Sequence, residues 1–264
     1  MFLFIRLERP DWRRRLSGEI AQGVDNSVQR QGHNLTNQIM HQLGKDIVTG
    51  TYGPANPFPI ESELCKLYGV SRSVLREAIK MLSAKGLIAS RPRQGTWVQP
   101  QSNWNILDAE VLGWIMARKF EPELLIEFLQ VRLAIEPVAA RLAAETASAE
   151  AIAQIEAALN RMQAAEEGDD DPLLSDIAFH VAVLEASGNR FYARLRDLIV
   201  AALHTSIKVT NQLKGVRLAS IAEHRHVLEA IAARDPDGAA AAMHSLISEA
   251  LVLVRKFAAR SPEL

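Results

Sequence analysis

The segment SDIAFH, Ser175 to His180, sets a carboxylate and an imidazole four residues apart, at Asp176 and His180. On a helix that spacing brings both side chains to one face. Such a pair supplies two ligands for a divalent metal, or forms a hydrogen-bonded polar pair at the edge of a core. Further imidazoles follow at His204, His224, His226 and His244, within a total of seven histidines. A second group of residues is basic. Ser71, Arg72, Ser73, Arg76 and Lys80 succeed one another, and Arg91 and Arg93 flank a proline soon after. Arginine can address guanine bidentately, while other basic groups and backbone N–H groups grip phosphate.

Both groups need elements to position them. Apolar residues Leu35, Ile39, Leu43 and Ile47 recur every four, which predicts a helix ending near Gly50. Helical patterns follow over residues 61–68 and 71–84, separated at Gly69, with Ser71 placed as an N-cap. After Gly86 the period changes. Leu87–Ser90 and Thr96–Val98 read as two short strands around an Arg-Pro-Arg-Gln-Gly tip. The order helix, helix, tight turn, helix, hairpin is a winged helix-turn-helix outline. Its third helix would enter the major groove N-terminus first.

Past the stretch 100–103 the chain changes character. Helical patterns run over about 105–117, 122–145, 148–167, 172–187, 190–213, 218–233 and 236–259, with breaks at Gly168, Gly188, Gly215 and Asp235-Pro236. The fold class expected is mainly α: a winged helix-turn-helix with a small β-hairpin wing, then an all-α bundle of six or seven helices, a package that can hold a ligand between its helices. The expected division is a flexible leader at 1–33, the head at 34–100, a linker at 101–104, the helical domain at 105–257 and a tail at 258–264.

Bulk properties fit. A chain of 264 residues with 48% hydrophobic composition can bury two modest cores. Residues 1–100 carry 14 basic and 8 acidic side chains; the remainder carries 16 and 23. The basic part is therefore the one suited to a polyanion. A single cysteine, Cys65, excludes an intrachain disulfide framework. The first residues do not read as a signal peptide, no apolar run of membrane-spanning length is expected, and the cytoplasm is the expected compartment.

The stretch GVSRSVLREAIKMLSAKGLIASRPRQGTWV, with FPIESELCKLYG before it, resembles the DNA-binding signature of the GntR family. VRLAIEPVAARLAA, DIAFHVAVLEASGN and EHRHVLEAIAARDPDGAAAAM resemble the FadR-type (FCD) ligand-binding domain, and the segment Trp104–Ile115 resembles regulators of galactonate use. The resemblance covers about residues 34–255. It implies a homodimeric transcription factor, usually a repressor, that reads a palindromic double-stranded operator. A small carboxylate effector, here an aldonate, would release it. It also implies that Arg72 meets base edges, that Arg76 meets bases or nearby phosphate, and that Gly95 is the wing glycine. Glu77 would orient arginines.

The family's metal-binding members use an aspartate and a histidine four apart, then two later histidines. Asp176, His180 and His224 match three of these positions. The fourth falls on Leu246. His244 lies two residues earlier, on the order of 200° around a helix, so it completes the set only if the register shifts. Zinc is the expected cofactor, with nickel or manganese as alternatives. Arg132 matches the arginine at the start of the family's long helix in this domain and is the candidate partner for the effector carboxylate; its other reading is an ion pair with Glu136. His204 and Asn211 are further candidates for effector hydrogen bonds. An enzyme is not expected. The alternatives weighed are a metal-dependent hydrolase or lyase, for which no general base stands beside the ligands, and a DNA-binding dimer without an effector.

Overall fold

A computed structural model describes residues 28–118, 121–214 and 220–260. The first helix, α1 (Val28–Val48), starts before Leu35, so residues 28–33 belong to a helix and not to a leader. Residues 1–27 and 261–264, which the sequence reading assigned to leader and tail, lie outside the described residues. Next come α2 (Glu61–Tyr68), α3 (Arg72–Ala84), β1 (Ile88–Arg91) and β2 (Gly95–Val98). The two strands pair antiparallel, with Ile88 opposite Val98 and Arg91 opposite Gly95. Leu43, Leu64, Leu75, Leu82 and Leu87, each fully buried, close these elements around one core. This is the head.

The region expected to be a linker is a short 3-10 turn, Gln101–Asn103, held tightly. Asn105 N–H donates to the Lys85 carbonyl at 2.9 Å, and the Trp104 indole N–H donates to the Gln99 carbonyl at 3.0 Å. Helix α4 (Ala109–Arg118) follows. It serves two cores at once. Val111, Trp114 and Ile115 are buried in the head, whereas Leu112 and Met116 are buried in the second core. Trp114 lies against Gly44 of α1, where an added Cβ would stand 2.3 Å from the ring. Gly44 is therefore required for the close approach of the two helices. The Lys85 ammonium meets Asp108 at 2.7 Å and also reaches Glu110.

The second core belongs to the body: α5 (Pro122–Thr146), α6 (Ala149–Glu167), α7 (Pro172–Ala186), α8 (Arg190–Arg194), α9 (Arg196–Lys214), α10 (Ile221–Ala232) and α11 (Pro236–Arg260). The helix expected over 190–213 breaks at Leu195 into α8 and α9. Helix α7 packs against α5, α6 and α9, and is buried nearly all round, as its apolar composition requires. The Asp171 carboxylate caps α7 by accepting from Leu173 N–H and Leu174 N–H at 2.9 Å, and Pro172 opens the first turn.

One expectation changes at α11. Its residues Pro236–Ala259 have the length and mean hydropathy (1.3) of a membrane span. Its apolar residues Ala239, Met243, Ile247, Leu251 and Val254 are buried at helical spacing, against α5 and α10, while His244, Ser245, Glu249, Arg255 and Lys256 are exposed. That two-faced pattern is that of a core helix whose alanines raise its hydropathy.

Candidate functional site

Helix α3 presents its N-terminus with Ser71 as the cap, whose oxygen accepts from Val74 N–H at 3.4 Å and lies 2.9 Å from the Ser73 hydroxyl. Leu75, Ala78, Ile79 and Leu82 anchor one face of the helix in the core, which leaves Arg72, Ser73, Arg76, Glu77 and Lys80 on the outside. Arg76 donates through Nε to both carboxylate oxygens of Glu61, at 3.0 and 3.3 Å. Lys80 donates to Glu77 at 2.7 Å. The carboxylate that orients Arg76 is thus Glu61, on α2, and not Glu77. Sequence reasoning quoted Glu61 without giving it this task, because their contact crosses the turn between helices.

On the wing, the Arg91 guanidinium lies 5.8 Å from the Trp97 ring centre. Arg93 has a left-handed φ of 65° at the tip, and Gly95 a φ of 83°. Among the described residues nothing lies within 4 Å of an added Cβ at Gly95, so its requirement is dihedral and not steric crowding. Arg72, Arg76, Lys80, Arg91 and Arg93 are all exposed, on α3 and the wing.

In the body, Asp176, His180 and His224 come together at 2–3% exposure. One donor atom from each lies within 4.8 Å of the others. Asp176 Oδ1 is 3.3 Å from His180 Nε2 and 3.3 Å from His224 Nε2. His224 Nδ1–H donates to the Ser220 carbonyl at 2.8 Å, which leaves the Nε2 lone pair facing inward. Asp176 Oδ1 and His224 Nε2 are buried with no hydrogen-bond partner among the described residues. Two imidazole nitrogens and a carboxylate oxygen converging in this way fit a divalent metal.

Behind His180 stands a buried ion pair. Arg132 donates to Glu136 through Nε at 2.6 Å and Nη2 at 3.3 Å, and Glu136 Oε2 lies 2.7 Å from His180 Nδ1. Burial alone would raise the Glu136 carboxyl, but Arg132 and His180 outweigh it and hold it at about 2. Burial likewise opposes ionisation of Asp176, but the His180 and His224 imidazoles beside it outweigh burial and keep it well below the usual carboxylate range. For His180, burial favours the neutral ring, but the Glu136 charge overrides it and raises the imidazole.

The cavity at this cluster has a volume of about 50 Å³. Arg132, Thr210, Asn211, Glu223 and Leu246 contribute to its wall. The structure therefore brings together Asp176, His180, His224, Arg132 and Asn211. It does not bring in two other candidates. His204 is exposed on α9, because Leu203, Ser206 and Ile207 take the buried face. His244 is exposed on α11, with Nδ1 3.2 Å from the Ser248 hydroxyl, and no register shift turns it inward. Leu246 lines the cavity in its stead. Glu223, whose Oε2 is buried without a hydrogen-bond partner among the described residues, was missed; its position next to His224 gave no sign that it would face the same space.

Comparison with known proteins places these features. Residues 35–98 match the family described as bacterial regulatory proteins, gntR family, and residues 127–249 match the FCD domain. The chain is 34% identical over 217 residues to the galactonate operon transcriptional repressor of Escherichia coli (strain K12), spanning 81% of this chain and 94% of that one. It is 29% identical over 239 residues to the transcriptional repressor NanR of Klebsiella aerogenes, spanning 87% and 90%. The solved structure of Lar, which controls expression of the Listeria monocytogenes agr system, superposes with a TM-score of 0.52 at 18% identity, over 84% of this chain and 96% of Lar. That last likeness concerns the fold alone. Helix α4 falls between the two matched regions.

Proposed function

We infer the function from one premise: the chain belongs to the gntR family of bacterial regulatory proteins and carries that family's FCD domain. It is a DNA-binding transcriptional regulator and not an enzyme, which removes the hydrolase or lyase alternative. Family membership implies a dimer that binds an operator and responds to an effector.

In our reading the chain represses an operon for sugar-acid use, and a small carboxylate, an aldonate, releases it from DNA. The name of the Escherichia coli relative supports this choice. Two heads read a palindrome. Arg72, with Ser71 and Ser73, meets base edges in the major groove; Arg76 and Lys80 reach bases or phosphate farther along α3. Arg91 and Arg93 approach the neighbouring backbone, and Gly95 shapes the wing. Asp176, His180 and His224 hold a divalent metal, zinc in our assignment. When bound, it supplies a Lewis-acidic position for a carboxylate oxygen. Arg132 offers the same carboxylate a fixed positive charge, and Asn211 offers a hydrogen bond to a hydroxyl.

The observation that carries this reading is the buried, converging Asp176–His180–His224 set in a body coupled to an arginine-bearing head. Its size supports a mechanism. About 50 Å³ is far less than the roughly 300 Å³ at which small-molecule pockets begin. An aldonate must therefore open the wall. One wall is α9, through Ile207, Thr210 and Asn211. Nearer the start of α9, Ala201 faces Gly113 of α4, where an added Cβ would stand 4.0 Å from the Ala201 side chain. Helix α4 is buried in both cores, so a shift of α9 passes to the head through it.

Metal analysis of purified protein and melting curves with a panel of aldonates and other small acids test this reading. We expect a divalent metal bound stoichiometrically and a rise in melting temperature with one acid. If no acid stabilises the metal-loaded protein, the effector assignment fails.

A further inference from the structure

Glu136 sits on the far side of the His180 ring from the other two candidate ligands. Its Oε2 is 2.7 Å from Nδ1, while Asp176 Oδ1 lies 3.3 Å from Nε2. A carboxylate oxygen that close to a bare ring nitrogen would oppose two lone pairs. Nδ1 therefore carries the proton and donates it to Glu136. Nε2 is left as the ring atom that can face a cation. Arg132 Nη2 stands 3.0 Å from Nε2 and 3.1 Å from Nδ1, so its position does not distinguish the two ring nitrogens.

Glu136 is also held still. It is fully buried, and Arg132 grips both its oxygens. Swinging it into the ligand set would strand a buried guanidinium. His224 reaches the same tautomer by a different device, the Ser220 carbonyl. A backbone carbonyl survives any substitution at its own position, but Glu136 does not. Because Leu246 stands where a fourth donor would be, each of the three donors counts for more.

We propose that Glu136 is a positioning residue for the cation site. It selects the Nδ1–H tautomer of His180 and fixes the ring so that Nε2 faces Asp176 and His224, and this sets the chain's affinity for a divalent cation. The proposal rests on the metal reading above. Carboxylates that accept from the outer nitrogen of a ligating histidine contribute about 10–100-fold in metal affinity.

The test uses the full chain, stripped of metal and titrated with zinc against a chromophoric chelator. Two variants are compared: Glu136→Gln, whose amide oxygen can still accept from Nδ1–H, and the double replacement Arg132→Met with Glu136→Leu, which removes the ion pair together. Melting curves identify any variant that fails to fold. We expect a loss of about 10–100-fold for the double variant and a smaller loss for Glu136→Gln. Long-range proton–nitrogen spectra of the zinc-loaded, unmodified chain should place the His180 proton on Nδ1 and zinc on Nε2. Zinc on Nδ1 overturns the proposal, as does a folded double variant that binds zinc within twofold of the unmodified chain. If the unmodified chain binds no zinc, nickel or manganese, the metal reading itself is overturned and the proposal falls with it. The spectra still read the tautomer when the double variant does not fold.

Discussion

Arg76 in the head and Arg132 in the body are each held by a glutamate, but in opposite settings. The Arg76 side chain is 61% exposed and that of Glu61 38%, whereas the Arg132 and Glu136 side chains are 4% and 1% exposed. An exposed pair is worth about 0–1 kcal/mol and is easily exchanged. A phosphate can take Glu61's place at Arg76 with little loss. A buried pair behaves differently, because breaking it leaves a charge without water or partner. The head therefore carries charges ready to change partners. The body carries charges locked into one geometry, as an orienting frame must be.

The largest effect that would break this contrast is at the buried pair. Glu136→Ala should destabilise the body by about 3–5 kcal/mol, read by denaturant unfolding. A change below about 1 kcal/mol would mean that Arg132 finds water or another partner. Acid should act in the same direction. The Glu136 carboxyl is held at about 2, below its ordinary value of about 4.3. Its contribution is thus fully present above about 4.3 and is lost as pH falls toward 2. Unfolding that begins well above that range would point elsewhere.

At the seam between the two regions, Gly44→Leu should cost about 1–3 kcal/mol, since a side chain there meets the Trp114 ring. Melting curves of comparable stability for variant and parent would show that α1 and α4 can part freely. In the head, Arg72→Ala should weaken operator binding by about 1–3 kcal/mol while zinc affinity stays unchanged. Equal loss on operator and random DNA would reassign Arg72 to phosphate. The smallest effect is expected for Glu61→Gln, below about 1 kcal/mol in stability. A larger cost would show that Arg76 depends on Glu61 as Arg132 depends on Glu136.

The sequence was legible where a periodic pattern and a local contact coincide. Leu35, Ile39, Leu43 and Ile47 announced α1, and the strands around Arg91 and Gly95 followed from the change of period. Asp176 and His180 were legible as a pair, because four residues on one helix fix their relation. Arg132 and Glu136 were legible for the same reason, but their contact with His180 was not, since it joins α5 to α7. The inward face of Glu223 and the outward face of His204 were hidden too. Both depend on the rotation of a helix within the bundle, which polar residues do not record. Likewise, the helical pattern over 105–117 gave no sign that Trp114 would reach Gly44. That contact is set by how closely two backbones pack.

In the proposed function the buried body governs the exposed head. Operator affinity reports this coupling, measured on the DNA upstream of the chain's own coding region, with and without aldonates, for metal-loaded protein and for His180→Ala. We expect one acid to weaken operator binding of the unmodified chain by about 5–150-fold, the usual span of coupling between sites. His180→Ala should bind the operator normally and ignore the acid. An operator affinity that no acid changes, or a His180→Ala protein that responds as fully as its parent, would show that the body does not control the head through this site.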